Sequence, residues 1–198
     1  WNYFASSIQG SARCILDSRQ IINQISFPKY LLPISTVFAN LINFLPTILV
    51  LLGFLVLFNI NFTVWIVLLP IVILIQTCLI IGLSLLVAGL QVIYRDVEYI
   101  IQVMLMVLFF LTPGVYTIGE VINKANPLFT KVYMLNPLVG ILNLYRVTFI
   151  GGYLNRLPKE VNFFNTFINP ILWAIVILFI GYYIFKKSEK RFRDYINL

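Results

Sequence analysis

From Tyr30 to Tyr94 the chain carries no Asp, Glu, Lys or Arg, and the run is dense in Leu, Ile, Val and Phe. That feature sets the solvent as lipid. A bilayer crossing takes about 20 apolar helical residues, so the run holds two crossings and a turn. Asn59-Ile60-Asn61 supplies the polar turn. In hydrocarbon every backbone N–H and C=O must find its partner within the protein, so the run predicts a helical hairpin over residues 33–57 and 64–88.

Composition agrees. Hydrophobic residues make up 61% of the chain and charged residues 11%, with a mean hydropathy of +0.95, where a soluble domain has about 25% charged residues. Two further apolar windows, Tyr99 to Ile118 and Phe167 to Phe185, are each near the length of one crossing. A weaker window opens the chain, Trp1 to Leu16, interrupted by Arg13. It reads as the second half of a helix. The first residue is Trp, and no basic n-region with a small-residue cleavage site follows it, so the expectation is a chain lacking its N-terminal part. The predicted class is an all-α polytopic membrane protein. Its spans are expected near 1–14, 33–57, 64–88, 98–118 and 167–185.

Orientation follows from the basic residues, which collect on the cytoplasmic side of short segments. Arg13, Arg19 and Lys29 flank the first turn, Arg95 sits in the second, and Lys186, Lys187, Lys190, Arg191 and Arg193 fill the tail. Segments 15–32, 89–97 and the tail 186–198 therefore go to the cytoplasm, with the C-terminus. The other cations, Lys124, Lys131, Arg146, Arg156 and Lys159, belong to segment 119–166, long enough to be partly exempt from the rule. The net charge of +7 is thus a topology signal. Nucleic-acid binding would need a basic face with interleaved aromatics, and these cations are scattered at span ends.

The absences narrow the chemistry. The chain has no His, which removes imidazole base catalysis and His-containing metal sites. Cys14 and Cys78 lie in apolar stretches, as small core residues do. The seven acids are Asp17, Asp96, Glu98, Glu120, Glu160, Glu189 and Asp194, all at or beyond span ends. Carriers driven by protons or ions use buried carboxylates, so this pattern argues against secondary transport. No Gly-x-x-x-x-Gly-Lys-Ser/Thr loop is present to cradle nucleotide phosphates. If ATP drives transport, another chain binds it. No catalytic residue, cofactor site or metal site is expected on this one.

Three segments have local shape. Asp17 and Ser18 are good N-caps, and Ile21, Ile22 and Ile25 then share one face of a short helix that Phe27-Pro28 ends. Spacing alone leaves two readings open, an interfacial helix resting on headgroups and a coupling helix whose apolar face docks in a motor subunit. Next, Gln91 to Glu98 forms a polar elbow in which Asp96 and Glu98 stand at a helix N-terminus, favoured by its dipole, with Arg95 at phosphate level. Finally, Thr112-Pro113-Gly114 breaks the fourth window. Asn136-Pro137 then starts a helix whose apolar face is Leu138, Ile141, Leu142, Tyr145 and Phe149, with Gly151-Gly152 as the stop. That helix is too short to span, which suggests a re-entrant or surface-lying element on the outer side. Arg146 projects from it as a snorkelling anchor or a ligand contact.

Six blocks occur in an order that resembles the ABC-2 type permeases: Trp1-Asn2-Tyr3-Phe4; Phe27-Pro28-Lys29-Tyr30-Leu31-Leu32-Pro33; Tyr94-Arg95-Asp96-Val97-Glu98-Tyr99-Ile100; Thr112-Pro113-Gly114-Val115-Tyr116; Asn136-Pro137-Leu138; and Tyr145-Arg146. The resemblance covers essentially the whole chain. It is nearest to the transmembrane subunits of O-antigen, capsule and teichoic acid exporters.

The resemblance implies a type V exporter-like transmembrane domain with about five of six spans present, and short re-entrant or gate helices on the outer side. It implies a homodimer in the bacterial plasma membrane, a cytoplasmic P-loop ATPase subunit that carries ATP and Mg, and a lipid-diphosphate-linked glycan as cargo. The family's coupling helix corresponds to residues 17–26, with Asp17, Arg19, Ile21, Ile22, Ile25, Phe27 and Pro28 as contact candidates; its gate lies within 119–152. The first span and N-terminal interfacial helix of the family have no counterpart in these residues. Arg95, Asp96, Glu98 and Arg146 are candidates for substrate or headgroup contact, since a guanidinium binds phosphate bidentately. Tyr99, Met106, Phe109, Phe110 and Tyr116 are pore-lining candidates, although such a stripe also serves as a packing face. The competing functions are an ABC-2 permease for drugs or small lipids and a polytopic enzyme that modifies glycans or lipids, which usually shows a His or paired-carboxylate site.

Overall fold

Long uncharged runs leave the backbone no water to bond, and the computed structural model satisfies them with helix. It describes residues 1–18, 20, 22, 27–58, 64–94, 96–114, 116, 118–124, 126–153, 161 and 164–189. Among these there is no strand. The helices are α1 (Asn2–Asp17), α2 (Leu31–Leu57), α3 (Val64–Ile93), α4 (Val97–Leu111), α5 (Ile118–Lys124), α6 (Pro127–Met134), α7 (Pro137–Phe149) and α8 (Phe164–Glu189). The first turn of α3, Val64–Leu68, is a tight 3₁₀ turn, and α8 begins with a wide π turn, Phe164–Ile168. The chain is an all-α polytopic membrane protein: α2, α3 and α8 are long and apolar enough to cross a bilayer. Helix α4 is apolar and shorter, stopping at Leu111 inside the window that continues to Ile118. Pro113 ends it by removing a main-chain donor, while the Thr112 hydroxyl donates to the Leu108 carbonyl at 2.6 Å.

The chain divides into two compact units. The first comprises the described parts of Trp1–Ile48, Thr77–Val107 and Ile175–Leu198. Within it α1 buries Tyr3, Phe4, Ser7, Ile8, Ser11, Ala12 and Ile15, a one-sided stripe at helical spacing. The Tyr3 ring stacks on Phe44 at 5.2 Å, and its hydroxyl donates to Thr77 Oγ1 at 3.0 Å. Helices α3 and α8 meet at glycines: a Cβ on Gly181 would collide with the Gly82 carbonyl, and one on Gly82 would stand 2.6 Å from the Leu178 nitrogen. Backbones come this close only where neither helix carries a side chain. Ile15, Leu85, Ala88, Val92 and Phe185 form an apolar cluster joining the ends of α1, α3 and α8.

The second unit comprises the described parts of Leu49–Gln76 and Leu108–Ala174. Its core is Ile118, Tyr133, Met134, Val139 and Val161, with Tyr116, Val121 and Ile122 against it. Helices α6 and α7 start alike: the Asn126 and Asn136 side chains accept the Leu128 and Leu138 N–H groups at 3.3 and 3.0 Å, each followed by Pro. Helix α7 ends at Phe149, where Ile150 turns extended. Gly152 follows with φ +71, a left-handed conformation open to glycine.

Candidate functional site

In the first unit the candidate residues gather at the elbow between α3 and α4. Tyr94 and Asp96 carry the turn, with the Val97 N–H donating to the Tyr94 carbonyl at 3.2 Å, and α4 starts at once. Glu98 stands in its first turn, where the dipole favours a carboxylate. Its main-chain N–H donates to Gln91 Oε1 at 2.7 Å, and its Oε1 accepts from Arg13 Nε at 2.6 Å as well as from the Arg13 Nη2. The Gln102 amide adds a longer bond of 3.4 Å. The Glu98 side chain is 13% exposed and that of Arg13 59%. Glu98 is therefore an ion-pair partner, and Asp96 remains exposed beside it.

Of the docking candidates, Asp17 closes α1 and is exposed, Pro28 is exposed and Phe27 half-buried. Ile22 packs against the Ile15, Leu85, Ala88, Val92 and Phe185 cluster, on the chain's own core. Arg19, Ile21, Ile25 and Arg95 lie outside the described residues. Tyr99 and Met106, both 65% exposed, share one side of α4 with Val103.

In the second unit Phe110 is exposed, and Phe109 is half-buried, edge-on to Phe110 at 5.5 Å. Arg146 organises the segment that follows α4. Its guanidinium donates to the Pro113 carbonyl, to the Tyr116 carbonyl at 3.4 Å and, at 3.5 Å, to the Tyr153 hydroxyl. It holds the chain where α4 breaks. Tyr116, half-buried, donates to the Phe110 carbonyl at 3.0 Å and accepts from the Tyr133 hydroxyl at 3.1 Å. Burial, reinforced by that bond, pushes the Tyr133 hydroxyl above its usual range, so it stays protonated. Asn169, at the start of the regular part of α8, donates to the Met134 and Leu135 carbonyls at 3.0 and 3.2 Å. Gly140 lets α7 lie against this entry, since a Cβ there would strike Pro170 and stand 3.0 Å from the Asn165 carbonyl.

The bonding partners of Arg13 and Gln91, and any role for Asn169, are not legible in the sequence. Arg13 registers in the sequence as an interruption of an apolar window and as one of the cations flanking the first turn, and its partner lies 85 residues away. The expected gate region 119–152 contains α5, α6 and α7, and Asn126-Pro127-Leu128, which repeats Asn136-Pro137-Leu138, signals the start of α6. Among the described residues no three of His, Cys, Asp and Glu gather as a metal would require.

No family model matches the chain. Three curated relatives align along almost all of it, each named "O-antigen export system permease protein RfbA". The one from Myxococcus xanthus is 29% identical over 207 residues, 99% of this chain and 72% of the relative. Two from Klebsiella pneumoniae are 28% and 27% identical over 195 residues, 98% of this chain and 71% of each relative.

Proposed function

We propose a transport role for a chain whose relatives and motif blocks are those of the ABC-2 type polysaccharide-export permeases: it is the membrane subunit of an ATP-driven exporter. The observation that carries this is the alignment with O-antigen export permeases through every span. The chain is a transport subunit rather than an enzyme, and a separate cytoplasmic P-loop ATPase supplies ATP and Mg. Two permeases pair in the bacterial plasma membrane with their C-termini in the cytoplasm. The cargo is a lipid-diphosphate-linked glycan of the O-antigen class, with capsule and teichoic acid as chemically close alternatives.

The physics of such cargo fits the residues available. The lipid stays in the bilayer while the sugar chain crosses, so the path needs walls that hold sugars without trapping them. Aromatic faces do this by stacking on the apolar faces of sugar rings, whereas dense hydrogen bonding would stop the polymer. Tyr99 and Met106 offer such an exposed, bond-poor side on α4. Arg95 is the candidate for the diphosphate, because the Arg146 guanidinium is committed to main-chain carbonyls.

The test is a purification of the full-length protein with its neighbouring gene products. The expected result is a co-purifying P-loop ATPase that is lost when Ile21 and Ile25 become Asp. A permease that purifies without any nucleotide-hydrolysing partner would sink the ATP-driven reading. With the complex in hand, Arg95→Ala should lower glycan export while leaving assembly intact, and unchanged export would remove the diphosphate role.

A further inference from the structure

We infer that Arg13 and Glu98 act as positioning residues, a strut that makes the first turn of α4 follow the end of α1. The inference rests on the permease reading above and names where motion from the ATPase enters α4.

Packing gives the first reason. In α4 only Leu105 is buried, so little side-chain packing within the chain sets the helix axis. A helix held so loosely along its length is steered from its end. That end is gripped twice: the Glu98 N–H bonds to Gln91, which is 2% exposed on α3, and the Glu98 carboxylate bonds to Arg13 on α1. One grip fixes position and the second fixes direction.

Both grips stand on a single packed block. Ile15, Leu85, Ala88, Val92 and Phe185 bind the ends of α1, α3 and α8 together, and Ile22, just beyond α1, packs on the same cluster. Arg13 lies two residues before Ile15 and four before Asp17, where α1 ends and the segment expected to meet the ATPase begins. A push on that segment moves the block, and the block carries α4 through Glu98.

Charge gives the second reason. A carboxylate that is 13% exposed has lost most of its water, a cost an ion pair offsets only with good geometry and further hydrogen bonds. An uncharged side chain would fill the same place at lower cost. What the pair adds is a directional link between two helices.

The experiment uses the wild-type permease with its ATPase in proteoliposomes, compared with R13Q, E98Q and the double variant R13Q/E98Q. Three quantities are read: folded complex recovered, ATP hydrolysed, and glycan exported per ATP. R13Q alone strands a desolvated carboxylate and can lower the yield of folded complex. The double variant removes both charges and avoids that penalty. The expected result is near-normal recovery and ATP hydrolysis for E98Q and the double variant, with export per ATP down at least about fivefold, the lower end of a typical coupling between sites. Wild-type export per ATP in the double variant would overturn the strut, as would losses that track the amount of folded complex alone. If the wild-type protein recruits no ATPase, the permease reading fails first and takes the strut with it.

Discussion

In the first unit α3 and α8 touch backbone to backbone at Gly82 and Gly181, and an apolar cluster closes around their ends. In the second, short helices are joined by side chains that reach main-chain carbonyls: Arg146 to Pro113 and Tyr116, Asn169 to Met134 and Leu135, Tyr116 to Phe110. The difference lies in the backbone. An unbroken helix pairs its own N–H and C=O groups, so its backbone asks nothing of its neighbours and two such helices can meet on shape. A broken one leaves carbonyls open, and in an apolar setting each needs a donor. The first unit thus depends on glycines at its closest helix crossing, and the second, with its own close approach at Gly140, adds side-chain donors for the carbonyls its breaks leave open.

The largest expected effect comes from filling the glycine crossing. Gly181→Val drives a branched side chain into the Gly82 carbonyl, and a loss of about 3 kcal/mol or more is expected, since overpacked backbone cannot yield. Thermal unfolding in detergent should show it, and a wild-type midpoint would break the claim that close backbone approach at the glycines holds α3 to α8. Arg146→Ala comes next, at about 1–3 kcal/mol for carbonyls left without donors. Hydrogen exchange should rise around Thr112 to Tyr116 and stay unchanged at Gly82; a uniform rise would mean the two units are not held by separate means.

Two asparagines sharpen the contrast within the second unit. Asn136→Ala removes a helix cap, worth about 1 kcal/mol, whereas Asn169→Ala strips donors from two carbonyls, about 1–3 kcal/mol. Equal midpoints for the two variants would count against carbonyl satisfaction as the stronger factor. The smallest effect belongs to Gly53→Ala, where a Cβ meets nothing within 4 Å. A shift within about 0.5 kcal/mol is expected; a large one would show that the glycines of this chain matter for reasons other than close approach.

Fold class was legible because lipid imposes one rule on every residue of an apolar run, and that rule is local. The all-α polytopic class and the ABC-2 resemblance both came from runs and blocks that stand contiguous in the chain. Helix starts were legible for the same reason, since a cap acts over two or three residues, as at Asn136-Pro137. The working partners of the candidate residues were not. Glu98 resembles a simple helix-start carboxylate until Arg13 arrives from 85 residues away, and Arg146 resembles an anchor until Pro113 and Tyr116 come within its reach.

The dipeptide Asn-Pro marks the boundary between the two kinds of information. It occurs at Asn126-Pro127, Asn136-Pro137 and Asn169-Pro170, and by sequence all three are equivalent helix starts. The first two cap their own helices through Leu128 and Leu138. The third follows a π turn that already provides the helix entry, and its side chain bonds instead to the carbonyls where α6 ends. Sequence determined that each site offers a short polar side chain beside a proline. Tertiary structure decided which main-chain groups lay unpaired within reach of it, because a hydrogen bond depends on distance in space and the chain order does not carry that distance.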